Sequence, residues 1–124
     1  MHRILLVYPD VTVRDELTFI LQHSGFQVVS ASKGEQAIAE IHSSHPDLVV
    51  MAESADRMNG DELCVHIRAL SEAPIIVVAQ EGVEAGIEML EMGADAYLAF
   101  PVDWRELVAR VRSLLRRHKE NPIG

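Results

Sequence analysis

The sequence predicts an α/β fold: five strand–helix units, (βα)5, forming a doubly wound five-stranded parallel sheet with helices on both faces. Two observations carry this. Short apolar runs alternate with segments of helical period along the whole chain. Three runs, Ile4-Leu5-Leu6-Val7, Leu48-Val49-Val50-Met51 and Ile75-Ile76-Val77-Val78, are apolar on consecutive residues, as strands covered on both faces must be. Alternating strands and helices close by right-handed crossovers into a parallel sheet.

The elements follow in order. The first strand, Ile4 to Val7, gives way at Tyr8-Pro9. Val13, Leu17, Ile20 and Leu21 then share one helical face, and Gly25 is placed to end that helix. Phe26-Gln27-Val28-Val29 is the second strand. Ser32-Lys33-Gly34-Glu35 has the capping-box pattern, opening a helix that turns Ala37, Ile38 and Ile41 inward. His42 and His45 fall in a loop before Pro46. The third strand is Leu48 to Met51. The third helix, Asp61 to Leu70, sets Leu63, Ile67 and Leu70 together. After the fourth strand, Ile75 to Val78, a fourth helix from Glu84 to Met92 turns Ile87 and Leu90 inward, with Gly93 after it. The fifth strand is Ala96-Tyr97-Leu98. Asp103-Trp104-Arg105-Glu106 is a second capping box, and it opens a helix with Trp104, Leu107, Val108, Val111, Leu114 and Leu115 on one stripe. From His118 the period is lost. We expect one domain over 1–118, with 119–124 a tail or the start of a linker to an effector domain.

Composition narrows the function classes. A chain of 124 residues, 48% hydrophobic and 24% charged, is one globular domain that can bury a core without staples. Its single cysteine, Cys64, excludes an internal disulfide and suits a reducing compartment, so the cytoplasm is expected. No apolar run approaches the ~18–20 residues that span a bilayer, so no membrane contact is expected. The stretch Met1 to Tyr8 is cut off by Pro9-Asp10 too early for a secretory signal. The net charge of −8 weighs against direct nucleic-acid contact by this domain. Charge is also uneven: Glu81, Glu84, Glu88, Glu91 and Asp95 stand without a base among them, whereas six of the 11 Lys and Arg fall between Arg105 and Lys119. The six histidines are scattered over different elements, and Cys64, beside Leu63 and Val65, reads as a buried inert thiol. Glycines stand singly and make no phosphate loop.

In an open parallel sheet, sites lie at the carboxyl ends of the strands, near the point where strand order reverses. Those ends are Tyr8-Pro9, Ala52-Glu53, Ala79-Gln80 and Phe100-Pro101. They present a phenol, an imino-acid ring, two methyl groups and a phenyl ring. None supplies the oxygens a divalent cation needs, or an ammonium to hold a phosphoryl oxygen. We therefore expect no metal, no cofactor and no catalysis.

At the level of motifs the chain resembles the receiver domains of two-component response regulators, from about His2 to Arg117. The segments that carry the likeness are Pro46-Asp47-Leu48-Val49-Val50, Met58-Asn59-Gly60, Ala73-Pro74-Ile75-Ile76-Val77-Val78, Glu91-Met92-Gly93-Ala94-Asp95-Ala96-Tyr97-Leu98, Pro101 and Arg105-Glu106-Leu107-Val108-Ala109-Arg110-Val111-Arg112. The last segments resemble the OmpR/PhoB type, whose receivers usually precede a DNA-binding domain. The resemblance implies a flavodoxin-like sheet of order 2-1-3-4-5 and a role in transcription regulation. It also implies a degenerate site. Tyr8 and Pro9 replace the family's metal-binding acids, Ala52 its phosphoacceptor aspartate, Ala79 its hydroxyl residue and Phe100 its lysine. Asp10, Glu53 and Asp56 match none of these positions. Tyr97 stands where the family keeps its switch aromatic, and Pro101 where it keeps a proline after a cis peptide.

The resulting expectation is an atypical, phosphorylation-independent receiver that dimerises, or binds another signalling protein, through its fourth and fifth helices. Glu91, Asp95, Glu106, Arg110 and Arg112 match the subfamily's ion-pair face, and Gly86 and Ala96 depart from it. The alternative is a small-molecule sensor with an apolar pocket at the former phosphorylation site. Ala79, lacking branch and hydroxyl, leaves room for Tyr97 to turn inward.

Overall fold

A computed structural model describes residues 1–55, 58–79, 87–88, 90–99 and 101–120. In chain order these form β1 (Arg3–Val7), α1 (Val11–His23), β2 (Gln27–Ala31), α2 (Gly34–Ser44), β3 (Leu48–Ala52), a two-residue pair β4 (Ser54–Ala55) and β5 (Met58–Asn59), α3 (Gly60–Leu70), β6 (Ile75–Ala79), β7 (Ala96–Ala99) and a C-terminal helix (Trp104–Glu120). Ile87, Glu88, Leu90 and Glu91 are also helical, within the expected fourth helix. The main sheet runs β2-β1-β3-β6-β7 with every pairing parallel. This is the expected order 2-1-3-4-5, with strand order reversing beside β1. The antiparallel β4–β5 pair has no counterpart in the sequence reading, because two-residue strands are too short to show a period.

Strands β3 and β6 are buried at every residue, and β1 at all but Arg3. Two apolar cores result, one on each face of the sheet. Alternate strand residues Ile4, Leu6, Leu48, Val50, Ile76, Val78 and Leu98 pack with Leu17 and Leu21 of α1 and with Leu107, Val111, Leu114 and Leu115 of the C-terminal helix. On the other face, Leu5, Val7, Val49, Met51, Ile75, Val77 and Ala79 pack with Ala37 and Ile41 of α2 and Leu63, Cys64 and Ile67 of α3. Each large side chain removed from water here contributes roughly 1.5–3 kcal/mol.

Helix ends follow local chemistry. Asp10 caps α1, its Oδ1 accepting from the Val13 N–H at 3.0 Å. Gly25 takes φ +96° just past that helix, as expected of the residue that ends it. Asp103 caps the C-terminal helix, with Oδ1 2.9 Å from the Arg105 N–H. These backbone donors hold its carboxyl below the usual aspartate range.

Five local expectations are corrected. The Ser32–Glu35 capping box does not form: α2 starts from Lys33 with no side-chain cap, and Gln36 Oε1 instead accepts from the Ser32 N–H and Oγ. His42 lies inside α2, and His45 ends that helix in the left-handed region at φ 49°. Leu70 is exposed, and Cys64 takes the inward position beside Leu63 and Ile67. Ile87 and Leu90 face solvent rather than the core, at 51% and 43% exposure. Among the described residues, the core on that side includes α2, α3, Ala94 and the half-buried Tyr97. Trp104 is 55% exposed, one turn ahead of Leu107, the first residue of its helix in the core.

Candidate functional site

Sheet register brings the expected site together. Val7 pairs with Met51, Ala52 with Val78, and Ala79 with Ala99. Tyr8, Ala52 and Ala79 therefore finish neighbouring strands at one end of the sheet. The pleat then separates them. Tyr8 and Ala52 join the core under α1 and the C-terminal helix, while Ala79 joins the core under α2 and α3. All three are closed to water, at 7%, 5% and 2% exposure.

Tyr8 donates its N–H to the Ala31 carbonyl at 3.0 Å, which extends the β1–β2 ladder by one residue. Burial of its ring pushes the phenol above its ordinary range, and the nearby Asp10 carboxylate adds to this. The carbonyls at this corner are occupied: Arg14 donates to the Tyr8 oxygen at 2.7 Å and to the Pro9 oxygen at 3.4 Å. Asp10 is engaged in capping α1, and Pro9 is exposed. Glu53, half-buried, donates its N–H to the Val78 carbonyl at 3.0 Å. Asp56 and Phe100 lie outside the described residues, and with Phe100 the Phe100–Pro101 peptide. Pro101 itself is exposed. Tyr97 is half-buried against the core that contains Ala79, and pairs with Val77 on β6. Among the described residues, this end of the sheet thus offers methyl groups, a buried ring, the capping carboxylate of Asp10 and the half-buried Glu53.

The expected interaction face is divided. Glu91, Glu106 and Arg110 are exposed, and Glu106 and Arg110 stand one turn apart on the same flank of the C-terminal helix. Asp95 is engaged within the chain: its Oδ2 accepts from the Arg68 guanidinium at 2.8 Å and from the Ile75 N–H at 2.8 Å. Arg68 also donates to the Ala73 carbonyl at 3.0 Å and the Gly93 carbonyl at 2.8 Å. This clamp ties the end of α3 to the turn before β7, where Gly93 takes φ +114° against the Arg68 side chain. Arg112 lies on the opposite flank, its guanidinium 3.4 Å from the Ser24 carbonyl at the end of α1. Beside Glu91, Ile87, Leu90 and Met92 (39% exposed) present apolar surface. Sequence reasoning missed Arg68, because its partner lies 27 residues away and only the β6–β7 pairing brings them together. Cys64 is fully buried, its thiol directed at the Met92 carbonyl at 3.6 Å. No helix among the described residues is long and apolar enough to cross a membrane.

Comparison with known proteins bears on the family. The profile described as "Response regulator receiver domain" matches residues 4–112. The chain is 35% identical to the sensory transduction protein RegX3 of Mycolicibacterium smegmatis, over 98% of this chain and 54% of the relative. It is 36% identical to the DNA-binding response regulator MtrA of Mycobacterium leprae, over 97% of this chain and 54% of that protein. The chain thus spans about half the length of these relatives. Among solved structures, it superposes with a TM-score of 0.92 on a CheY-like response regulator receiver domain protein from Methanospirillum hungatei. That match has 27% identity and covers 98% of both chains. A two-component response regulator from Clostridium difficile gives a TM-score of 0.91 at 28% identity, covering 94% of this chain and 98% of that one.

Proposed function

This chain belongs to the response-regulator receiver family, and we propose that it is a member that works without a phosphoryl group, as an interaction module of a transcription regulator. One observation carries the reading. Tyr8, Ala52 and Ala79 end three adjacent strands and are built into the two apolar cores. Phosphoryl transfer to a receiver needs a carboxylate oxygen to attack phosphorus, acids to hold the metal and a cation to balance the charge that develops. Buried methyl groups do none of this, and Asp10, close in sequence, is occupied at the α1 N-terminus. The domain is accordingly not an enzyme and takes no cofactor. Tyr8 and Ala52 being part of the core favours a filled site over a ligand-binding hollow at this end.

The output follows from the surface. The exposed Glu91, Glu106 and Arg110, with the apolar Ile87 and Leu90, suit self-association or a signalling partner, and an isologous contact would set acids against bases. Asp95 and Arg112 have partners within the chain, which leaves the smaller set to carry the contact. The likeness to a DNA-binding response regulator supports an attached DNA-binding domain as the effector, with this domain itself off the DNA.

Incubation with acetyl phosphate and magnesium, followed by intact-mass measurement, tests the central claim. The expected result is an unmodified chain; a gain of about 80 Da, one phosphoryl group, would overturn it. Ala52→Asp alone is expected to stay unmodified as well, since the metal-binding acids and the lysine are still missing.

A further inference from the structure

We propose that the opposite end of the sheet is a second recognition surface, a bipolar groove that takes a peptide segment carrying an acidic residue, an apolar residue and then a basic one. Two clefts meet there, at the amino ends of the strands. One, of about 360 Å³, lies between the end of α1 and the C-terminal helix and carries Arg112 and Arg116 around Phe26. The other, of about 490 Å³, carries Asp47 and Glu72 at the starts of β3 and β6. His2 and Leu115 line both and join them.

The four charged side chains are exposed; the Asp47 carboxylate also accepts from the Arg3 N–H at 2.7 Å, and His2 and His118 line the acidic cleft with it. Arg116 and Glu72 make no side-chain hydrogen bond or ion pair with the described residues, and Arg112 has only the long contact to Ser24. On a chain of net charge −8, two exposed arginines are a local inversion of the field, and they attract a carboxylate. The carboxylates across Leu115 invert it again. A ligand matched to both has separated charges and an apolar side chain between them. A nucleic acid does not fit, because its continuous negative charge would run onto Asp47 and Glu72. The surface lies away from Tyr8, Ala52 and Ala79, so it stands whether or not the domain is phosphorylated.

A fluorescein-labelled peptide Glu-Glu-Leu-Ser-Lys-Lys serves as the probe, followed by fluorescence anisotropy with the whole chain. The expected result is binding at least tenfold tighter than that of the same residues in alternating order, Glu-Lys-Leu-Glu-Ser-Lys. Arg116→Glu and Glu72→Lys should each weaken it at least fivefold. Arg117→Gln, on the opposite flank of the helix, should leave it unchanged. Equal binding of the two peptides, equal loss from the opposite-flank change, or no binding of the block peptide overturns the proposal. Tighter binding of an all-glutamate peptide or a single-stranded oligonucleotide overturns it in favour of a plain anion surface.

Discussion

Tyr8 stands at the end of β1 in surroundings that favour its neutral phenol. The ring is buried and the Asp10 carboxylate, which caps α1, lies nearby, so ionisation is opposed first by desolvation and then by Asp10. A raised folded-state pKa has a definite consequence for stability. The contribution is fully present below the unfolded value near 10.0 and is lost as pH rises through the higher folded value. Alkaline ultraviolet titration should therefore show a phenol ionising late, and Tyr8→Phe should remove that late component. Persistence of the late component in the variant would assign it elsewhere. Asp103 gives the converse case on the acid side. Its carboxyl is held low by the backbone N–H groups of Arg105 and Glu106, so its cap survives as pH falls through the ordinary range and is lost only below it. A carboxyl carbon NMR titration of Asp103 reads this directly, and a midpoint at or above 3.8 would refute it.

At the level of elements, caps and clamps do different work. Asp10→Ala should cost about 1 kcal/mol, since one orphan N–H of α1 loses its acceptor, whereas Asp10→Asn should cost a few tenths. Urea midpoints of the two variants separate a cap from a general charge effect, and equal losses would count against the cap. Arg68 holds three acceptors on two different loops. Its removal takes the guanidinium donors from the Ala73 and Gly93 carbonyls and from the Asp95 carboxylate, which keeps only the Ile75 N–H, and Arg68→Ala should cost about 2 kcal/mol. Amide hydrogen exchange should rise at Gly93 to Asp95 in that variant and stay unchanged in β2. Leu107→Ala, at the start of the C-terminal helix's buried stripe, belongs to the larger class of core truncations at about 2–5 kcal/mol.

At the scale of the whole molecule, the question is how two copies or two proteins meet. Exposed ion pairs contribute only ~0–1 kcal/mol each, so a contact built on Glu91, Glu106 and Arg110 should be weak and salt-sensitive. The exposed Ile87 and Leu90 add an apolar component that salt does not screen. Sedimentation velocity should show the dimer fraction fall when salt is raised and on Arg110→Glu, with the residue abolished by Leu90→Ser. No loss on Arg110→Glu would remove this face from consideration.

By itself the sequence determined the five strands, their parallel arrangement and the identity of the residues at their carboxyl ends. These depend on local period and on order along the chain, both of which can be read residue by residue. Gly25 and Gly93 marked two turns for the same reason, since a positive φ is a local demand. Tertiary structure alone decided which of the periodic apolar residues stay outside the core. Ile87, Leu90 and Trp104 have the period of buried residues, yet stand exposed to water in the folded chain. It also decided how charges are used: Asp10 became a cap, Asp95 the anchor of Arg68, and Arg112 a neighbour of α1. Partners so far apart in the chain are chosen by strand register and helix packing, and a one-dimensional pattern does not encode that choice.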